Sequence, residues 1–534
     1  MTNFTHILLL AFLCTMMFSG GAAVEGADRG SGSAKTGLRV VKYGDNVFIR
    51  SAFSAQEDLV VRVEKGANNH QINFFGAFLL NESAGMSEKE VSNGRMIHGN
   101  GDDATPWNIN GTYIGANHGC SDSRDLTCAD HGRTAADLGS EWTDEAGHKF
   151  YLIKIADKDH LWFLPENTGK GAVWKFANTY SGSTLKCAAR RATITFADNR
   201  MVQLHPACRI RKQEYLIEGK KPLQDGKPAS CDYLDIVEEY DIISPASLLE
   251  DIVKHPGVER DFTGDKLDGV ISNHIVYRFH PNGANVIYYT AKALQEFNIG
   301  YMGFIQSAKL TKGDYDAHVY YIPKTTPFTR DDIAYDFKSM QDYSSPPKSP
   351  LRFTEASKNI EDPKNLPDRF IQLLGRKEDG KVSWEVGYAL GYSLVRGLTK
   401  PAERAKNASA AITLHTTAKS YPVAIDSQME PLVPAGTKFD CIAYRQYFRP
   451  ADQKAATCFY WHEEDGEVVV YADYHKAVDR DILKLPAALT GKTITLIEKT
   501  PSLTLRKAKS VPAGGVTVSV TGNYGYVVFK VKAK

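Results

Sequence analysis

Short segments that combine β-branched and aromatic residues recur along most of the chain, and they constrain its fold more than any other feature. Examples are LRVVKYGDNVFIRSAF near the N-terminus, ATITFAD further on, and EVVVYADYH and YGYVVFKVK near the C-terminus. This pattern is typical of strands, and convincing long amphipathic helices are few. The sequence predicts an all-β protein, with a large antiparallel body of stacked, sandwich-type sheets and a C-terminal β-sandwich. A β-propeller is the alternative, although no repeat of fixed period is found.

The first residues are typical of an export signal rather than of folded structure. An apolar run from Ile7 to Phe18 is followed by small residues up to Ala23, which predicts a signal peptide over residues 1–23. The run is shorter than the roughly 20 residues that a membrane-spanning helix needs. We therefore expect a secreted or periplasmic protein without a membrane partner. The predicted divisions are an N-terminal β region at 24–185, a central β region at 186–418 and the β-sandwich at 419–534.

Net charge and cysteine content limit the binding partners and the cellular compartment that we expect for the protein. The 64 Lys and Arg residues and 63 Asp and Glu residues leave a net charge of +1. No bulk positive field therefore attracts nucleic acid or an anionic membrane. In an oxidising compartment, local pairs such as Cys120–Cys128 and Cys441–Cys458 are expected to form disulfides.

The segment from Thr105 to Trp142 is the richest in polar chemistry. His118 and His131 are each followed by glycine, with Asn117 and Arg133 beside them. Two loop histidines near arginine and carboxylates suit proton transfer near neutral pH. Histidines that only complete hydrogen bonds in the loops are the alternative interpretation. A zinc site from these histidines with Cys120 and Cys128 is also open, but a disulfide explains the cysteines more simply.

A second polar cluster lies in the segment NHIVYRFHPNGANVIYYT, residues 273–290. Asn282-Gly283 predicts a two-residue hairpin turn, which pairs His280 with Asn285 and Arg278 with Ile287. Alternation then places five polar side chains on one face of the hairpin: His274, Arg278, His280, Asn285 and Tyr289. A merely solvated face is the alternative.

The motifs NINGTYIGANHG and DHGRTAADLGSEW, from about Trp107 to Asn167, resemble secreted polysaccharide lyases of the ulvan-lyase type. The resemblance implies His118 and His131 as proton-transfer groups. Lyases of this type also use tyrosine, and arginine to neutralise a uronate carboxylate. The hairpin adds His280 and Tyr289 as catalytic candidates, and the substrate-binding candidates are Asn117, Arg133, Arg278 and Trp107. The resemblance also implies a propeller fold.

The expected reaction is β-elimination on an anionic, uronate-containing polysaccharide. Removal of the C5 proton needs a base, and a nearby arginine stabilises the charge that develops. No organic cofactor is required, although a structural metal ion is compatible with the sequence. The alternatives are a glycoside hydrolase, which would need two carboxylates such as Asp137 and Glu141, and a non-catalytic glycan-binding protein with aromatic platforms such as Trp142 and Trp162.

Overall fold

A computed structural model describes part of the 534-residue chain. The described residues are 37–65, 72–98, 141–143, 149–154, 161–165, 172–177, 179–181, 191–196, 201–204, 207–243, 269–303, 315–322, 333–337, 369–378, 381–396, 409–415, 419–426, 432–448, 458–464, 466–474, 477–506, 509–521 and 525–532.

Nearly all of the described secondary structure is β-strand. In the first part of the chain the strands are β1 (Leu38–Tyr43), β2 (Asn46–Ala52), β3 (Glu57–Lys65), β4 (Ile72–Asn81), β5 (Arg95–His98), β6 (Glu141–Thr143), β7 (Lys149–Lys154), β8 (Leu161–Pro165), β9 (Ala172–Ala177), β10 (Thr179–Ser181), β11 (Arg191–Phe196) and β12 (Met201–Leu204). In the middle they are β13 (Ala207–Ile217), β14 (Lys221–Pro222), β15 (Ala229–Cys231), β16 (Leu234–Ile243), β17 (Gly269–Phe279), β18 (Ala284–Ala293), β19 (Phe297–Gly303), β20 (Tyr315–Ile322), β21 (Ile333–Phe337), β22 (Arg369–Glu378), β23 (Lys381–Arg396) and β24 (Ser409–His415). The last strands are β25 (Lys419–Asp426), β26 (Leu432–Val433), β27 (Lys438–Phe448), β28 (Cys458–Glu464), β29 (Glu467–Tyr474), β30 (Val478–Leu483), β31 (Ile494–Lys499), β32 (Leu503–Leu505), β33 (Val516–Val520) and β34 (Gly525–Lys532).

The N-terminal part forms a six-stranded sheet in the order β15-β1-β2-β3-β4-β5. Its apolar side chains pack around a short helix, α1 (Glu88–Ser92), which Ser87 caps through a reciprocal bond with Glu90. Arg50 is buried beneath the segment that follows β4. Its guanidinium bonds Asp58 and four carbonyl groups between residues 81 and 85, which satisfies the charge without water.

A ten-stranded sheet in the order β14-β13-β16-β17-β18-β27-β23-β22-β20-β21 forms the middle of the molecule. The pairs within it are antiparallel. A propeller blade typically has four strands, so this width favours the predicted stacked-sheet body over the propeller alternative. Three smaller groups of strands accompany it: β10-β19-β25-β24 with β26 on β19, β12-β11-β9, and β6-β7-β8. The all-β prediction is confirmed.

The C-terminal part is a β-sandwich of two sheets, β28-β29-β34-β31 and β30-β33-β32. Valine, phenylalanine and tryptophan side chains from both sheets form one core, and a 3-10 turn at Ala487–Leu489 adds a leucine to it. The sandwich begins at Cys458 rather than at residue 419, because β27 belongs to the ten-stranded sheet. Similarly, β15 lies in the predicted central region but pairs with β1 of the N-terminal sheet.

The backbone positions of Cys441 and Cys458 are too far apart for the predicted disulfide between them. Phe459 N–H donates to Gln446 Oε1 at 3.2 Å, so β28 begins beside Gln446. Cys441 lies five residues along β27 from that contact, or about 17 Å at the usual strand rise, whereas bonded cysteines need Cα atoms within about 7 Å. Cys231 is a free, buried thiol. Cys120 and Cys128 lie outside the described residues.

Candidate functional site

The hairpin between β17 and β18 has a three-residue loop instead of the predicted two-residue turn. His280 N–H donates to Ala284 O at 2.8 Å, and Gly283 N–H donates to His280 O at 3.1 Å. Pro281 suits the first position of such a turn, and Gly283 takes the left-handed conformation at φ +79°. The turn was predicted at the correct place, but the register is shifted by one residue, so Arg278 pairs with Val286 rather than with Ile287.

This register removes Tyr289 from the predicted site. Tyr289 pairs with Ile275, whereas Arg278 pairs with Val286, so Tyr289 and Arg278 lie on opposite faces of the sheet. The Tyr289 ring is fully buried, and its hydroxyl donates to Asn273 Oδ1 at 2.9 Å. The predicted grouping of Tyr289 and Asn285 with Arg278 and His280 is therefore wrong.

Arg278 is covered by the C-terminal sandwich and does not face an open groove. Its Nε and Nη2 donate to the two carboxylate oxygens of Asp235 at 2.7 and 2.9 Å. The guanidinium lies 4.5 Å from the ring centres of both Tyr233 and Trp461. Burial opposes the charge, but the hydrogen bonds and charge of Asp235 raise the pKa of Arg278 above its ordinary value. Asp235 thus occupies the bidentate position that was predicted for a uronate carboxylate.

His280 lies in the same covered region. Its side chain meets the Trp461 ring edge-on at 5.3 Å between centroids, and the residue is 3% exposed. Burial, with a smaller contribution from the nearby Arg278 charge, lowers the pKa of His280 to about 3. The imidazole is therefore neutral near pH 7 and out of reach of a polymer. The other predicted site residues lie outside the described residues: Trp107, Asn117, His118, His131 and Arg133.

The same face of the sheet is open and polar at its other end. A row of in-register residues crosses six neighbouring strands, from β13 to β23; we call it the cationic row, and it consists of Arg209, Asp241, Ser272, Lys292, Lys438 and Arg396. The next row towards the hairpin contains Glu239, His274 and Thr290, followed by the register position of Asp440. A depression of about 390 Å³ lies over β17, β18 and β27, and its lining includes Ser272, His274, Thr290, Lys292 and Lys438.

His274 is an exposed histidine in the lining of this depression. Its side chain is 47% exposed, and its Nδ1 lies 3.4 Å from Glu239 Oε1. A carboxylate at Nδ1 favours the tautomer that carries the proton there, which leaves Nε2 as the basic nitrogen. The arrangement resembles in outline a base oriented by an acid. His274 was placed on the polar hairpin face from sequence, but it was not singled out as a catalytic candidate.

One carboxylate of β16, that of Asp241, holds two arginines of β13 in place. Asp241 accepts from Arg209 Nη2 and lies against Arg211 Nε, both at 3.1 Å. Arg211 also donates to Ser272 Oγ at 2.7 Å, and it occupies a bulge in β13. The bulge directs a guanidinium that is 41% exposed over the face. Sequence reasoning did not find these residues, because they belong to strands other than the predicted hairpin.

Two lysines of the cationic row, Lys292 and Lys438, are neighbours across β18 and β27. Lys292 and Lys438 are directly opposite each other on β18 and β27, and both are exposed. Within the part of the chain that the structure describes, neither forms an ion pair. Like charges directly opposite each other destabilise a sheet. The described lining of the depression thus carries two exposed lysines and one exposed histidine.

In that same part of the chain, three or more histidine, cysteine or acidic side chains nowhere come together as a possible metal site. A search of the same residues finds no helix with the length and apolar character needed to cross a membrane. Both findings concern the described ranges alone.

No family model and no curated protein sequence matches the chain. Among solved structures, it is similar to galactose 1-epimerase from Lactobacillus acidophilus NCFM, with 9% identity, 77% of this chain and 98% of that chain covered, and a TM-score of 0.23. A copper-containing benzylamine oxidase from Hansenula polymorpha has 7% identity, 78% coverage of both chains and a TM-score of 0.14. Similarity at this level carries no argument about the site.

Proposed function

We propose that this protein binds a uronate-containing polysaccharide on the open face of the ten-stranded sheet and cleaves it by β-elimination. One observation carries the proposal: His274, with Glu239 at its Nδ1, lines a depression together with Lys292 and Lys438, and Glu239 also lies 4.0 Å from Arg211 Nη1. A base next to cationic side chains suits the removal of a proton beside a carboxylate. Export of the chain with loss of residues 1–23 belongs to the same proposal.

The proposed step uses side chains of this chain alone. His274 Nε2 removes the C5 proton while the uronate carboxylate is neutralised by Arg211 or Lys292. The electron pair of the broken C5–H bond forms the C4=C5 double bond, and the C4–O4 bond breaks with its electrons on O4. The imidazolium then returns the proton to O4, so the histidine is regenerated. Glu239 acts as a positioning residue that stabilises the imidazolium.

The hydrolase alternative receives less support from the same face. Glu239 and Asp241 are its described carboxylates nearest to His274, and both already contact cations. An acid-base pair in a glycosidase needs one carboxyl group that can hold a proton for the leaving oxygen. Two carboxylates held by arginine and histidine are poorly suited to that role.

The test is ultraviolet absorbance of the unsaturated uronide during incubation with polygalacturonate, alginate, hyaluronan and chondroitin. We expect new absorbance with one of these polymers, and His274→Ala should lower turnover by about 10²- to 10⁴-fold. Glu239→Gln should lower kcat more than it raises KM. The control is Lys484→Ala, an exposed lysine of the C-terminal sandwich.

Several results would contradict the proposal. Full activity of a folded His274→Ala variant would remove this histidine from the reaction. New reducing ends without absorbance would indicate a hydrolase, and binding without cleavage would indicate a glycan-binding protein. Exported protein that still begins at Met1 would contradict the signal peptide.

A further inference from the structure

The cationic row is long enough to contact several sugar residues of a polymer. It crosses six strands, and neighbouring strands lie about 4.8 Å apart, so the row extends over about 24 Å. The six positions are in register without a shift between them. Four of the six residues are cations, and the one carboxylate, Asp241, already holds two arginines.

The perpendicular direction, along the strands, is closed at one end. Four residues along β18 from Lys292, the Tyr288 hydroxyl donates to the Trp461 carbonyl of the C-terminal sandwich. Trp461 also covers Arg278 on the neighbouring strand. The cover therefore begins about 14 Å from the cationic row in the strand direction. A polymer that ran along the strands would meet this cover, whereas one that runs across them would not.

From these observations we infer that the polysaccharide crosses the strands along the cationic row, with His274 near the middle of its path. Lys438 then contacts the polymer on one side of the reacting sugar, next to the register position of Arg396. Arg209 and Arg211 contact it on the other side. The inference rests on the proposed function, because it takes an acidic polysaccharide as the ligand.

The row carries a stability cost that a bound polyanion would offset. Lys292 and Lys438 face each other, and no described carboxylate forms an ion pair with either of them; such like-charged cross-strand pairs are unfavourable. Neutralising one lysine should therefore stabilise the free protein while it weakens binding. If the lysine served only solubility, its neutralisation would not both stabilise the free protein and weaken binding.

The experiment measures calorimetric affinity for an oligosaccharide series, from dimer to octamer, prepared from the polymer of the panel that binds. We expect affinity to rise with length until the oligomer spans the row, and to fall with added salt. Lys292→Gln and Lys438→Gln should each weaken octamer binding by about two- to fivefold. Arg209→Gln and Arg396→Gln should weaken octamer binding but leave dimer binding unchanged. Arg209→Lys should recover most of the loss, and Lys484→Gln is the control.

Three results would overturn the inference. One is that octamers bind no better than dimers. Another is that Arg209→Gln and Arg396→Gln leave octamer binding intact while Lys292→Gln weakens it. The third is that Lys438→Gln lowers the thermal stability of the free protein. None of these results would contradict the proposed elimination at His274. Absence of binding to every polymer of the panel would instead refute the proposed function, and the inference with it.

Discussion

The buried pair between Arg278 and Asp235 should contribute more to folding than any exposed ion pair of the same sheet. The Asp235 side chain is 6% exposed and that of Arg278 12%. Removing one member of such a pair leaves an uncompensated buried charge, which costs about 3–5 kcal/mol. Arg278→Met removes the guanidinium but keeps an unbranched apolar side chain between Tyr233 and Trp461. We therefore expect Arg278→Met to lower the free energy of unfolding by about 3–5 kcal/mol.

The double variant separates the charge from the packing. Asp235→Asn in the Arg278→Met background removes the stranded carboxylate, so about 2 kcal/mol should be recovered. The assay is urea unfolding of the full chain, followed by tryptophan fluorescence. Lys212→Met is the matched control on β13, because Lys212 pairs with Glu214 at 3.0 Å on the surface and should cost only about 0–1 kcal/mol.

Two results would refute this reasoning. The first is a loss below about 1 kcal/mol in Arg278→Met. The second is a double variant no more stable than the single one, which would mean that the stranded charge is not the cause. Arg278→Lys is informative as well: it keeps the charge but loses the two parallel hydrogen bonds, so it should lower stability rather than substrate affinity.

Three further changes test other positions that the packing constrains. The buried His280 has a pKa of about 3, so the wild type should lose stability as pH falls from about 6.5 towards about 3. His280→Phe should flatten this pH dependence in thermal melts. An unchanged pH dependence would contradict the burial of a neutral His280. Burial raises the pKa of Glu238 to about 7, so the wild type should lose stability as pH rises from about 4.5 to 7. In urea unfolding, Glu238→Gln should therefore be more stable than the wild type near pH 8. This gain in stability should vanish near pH 4.5. A Cβ on Gly283 would lie 2.9 Å from the Tyr447 carbonyl oxygen at a positive φ, so Gly283→Ala should lower the unfolding free energy by about 1–3 kcal/mol. Gly226→Ala, also at positive φ but with open space, should cost less, and equal losses would argue against the close contact.

The all-β class could be predicted because strand patterning is local, but the register of one hairpin could not. Asn282-Gly283 suits both a two-residue loop and a three-residue loop with glycine last. Pro281 favours the longer loop by taking the first turn position, so β18 moves by one residue. Because side chains alternate along a strand, this single step moved Tyr289 to the other face.

The surroundings of the candidate site depend on contacts that are distant in sequence. The polar face with His274 follows from alternation along β17. Its carboxylate partner Glu239 follows only from the pairing of β16 with β17, which no local signal specifies. Likewise, Arg278 lies on a face with polar alternation, but Trp461 from the C-terminal sandwich covers it. Sequence alternation identifies a polar face without showing which end remains open.

The pairing of β15 with β1 has a consequence for synthesis of the chain. Leu38 is opposite Cys231 in that pair, about 190 residues later, and Gly226 N–H donates to Lys42 O nearby. During translation the edge of β1 therefore stays unpaired until residue 231 has left the ribosome. An unpaired strand edge is a site of wrong association between chains. Slow elongation before residue 231, or a fragment that ends before it, should therefore increase aggregation of the nascent protein.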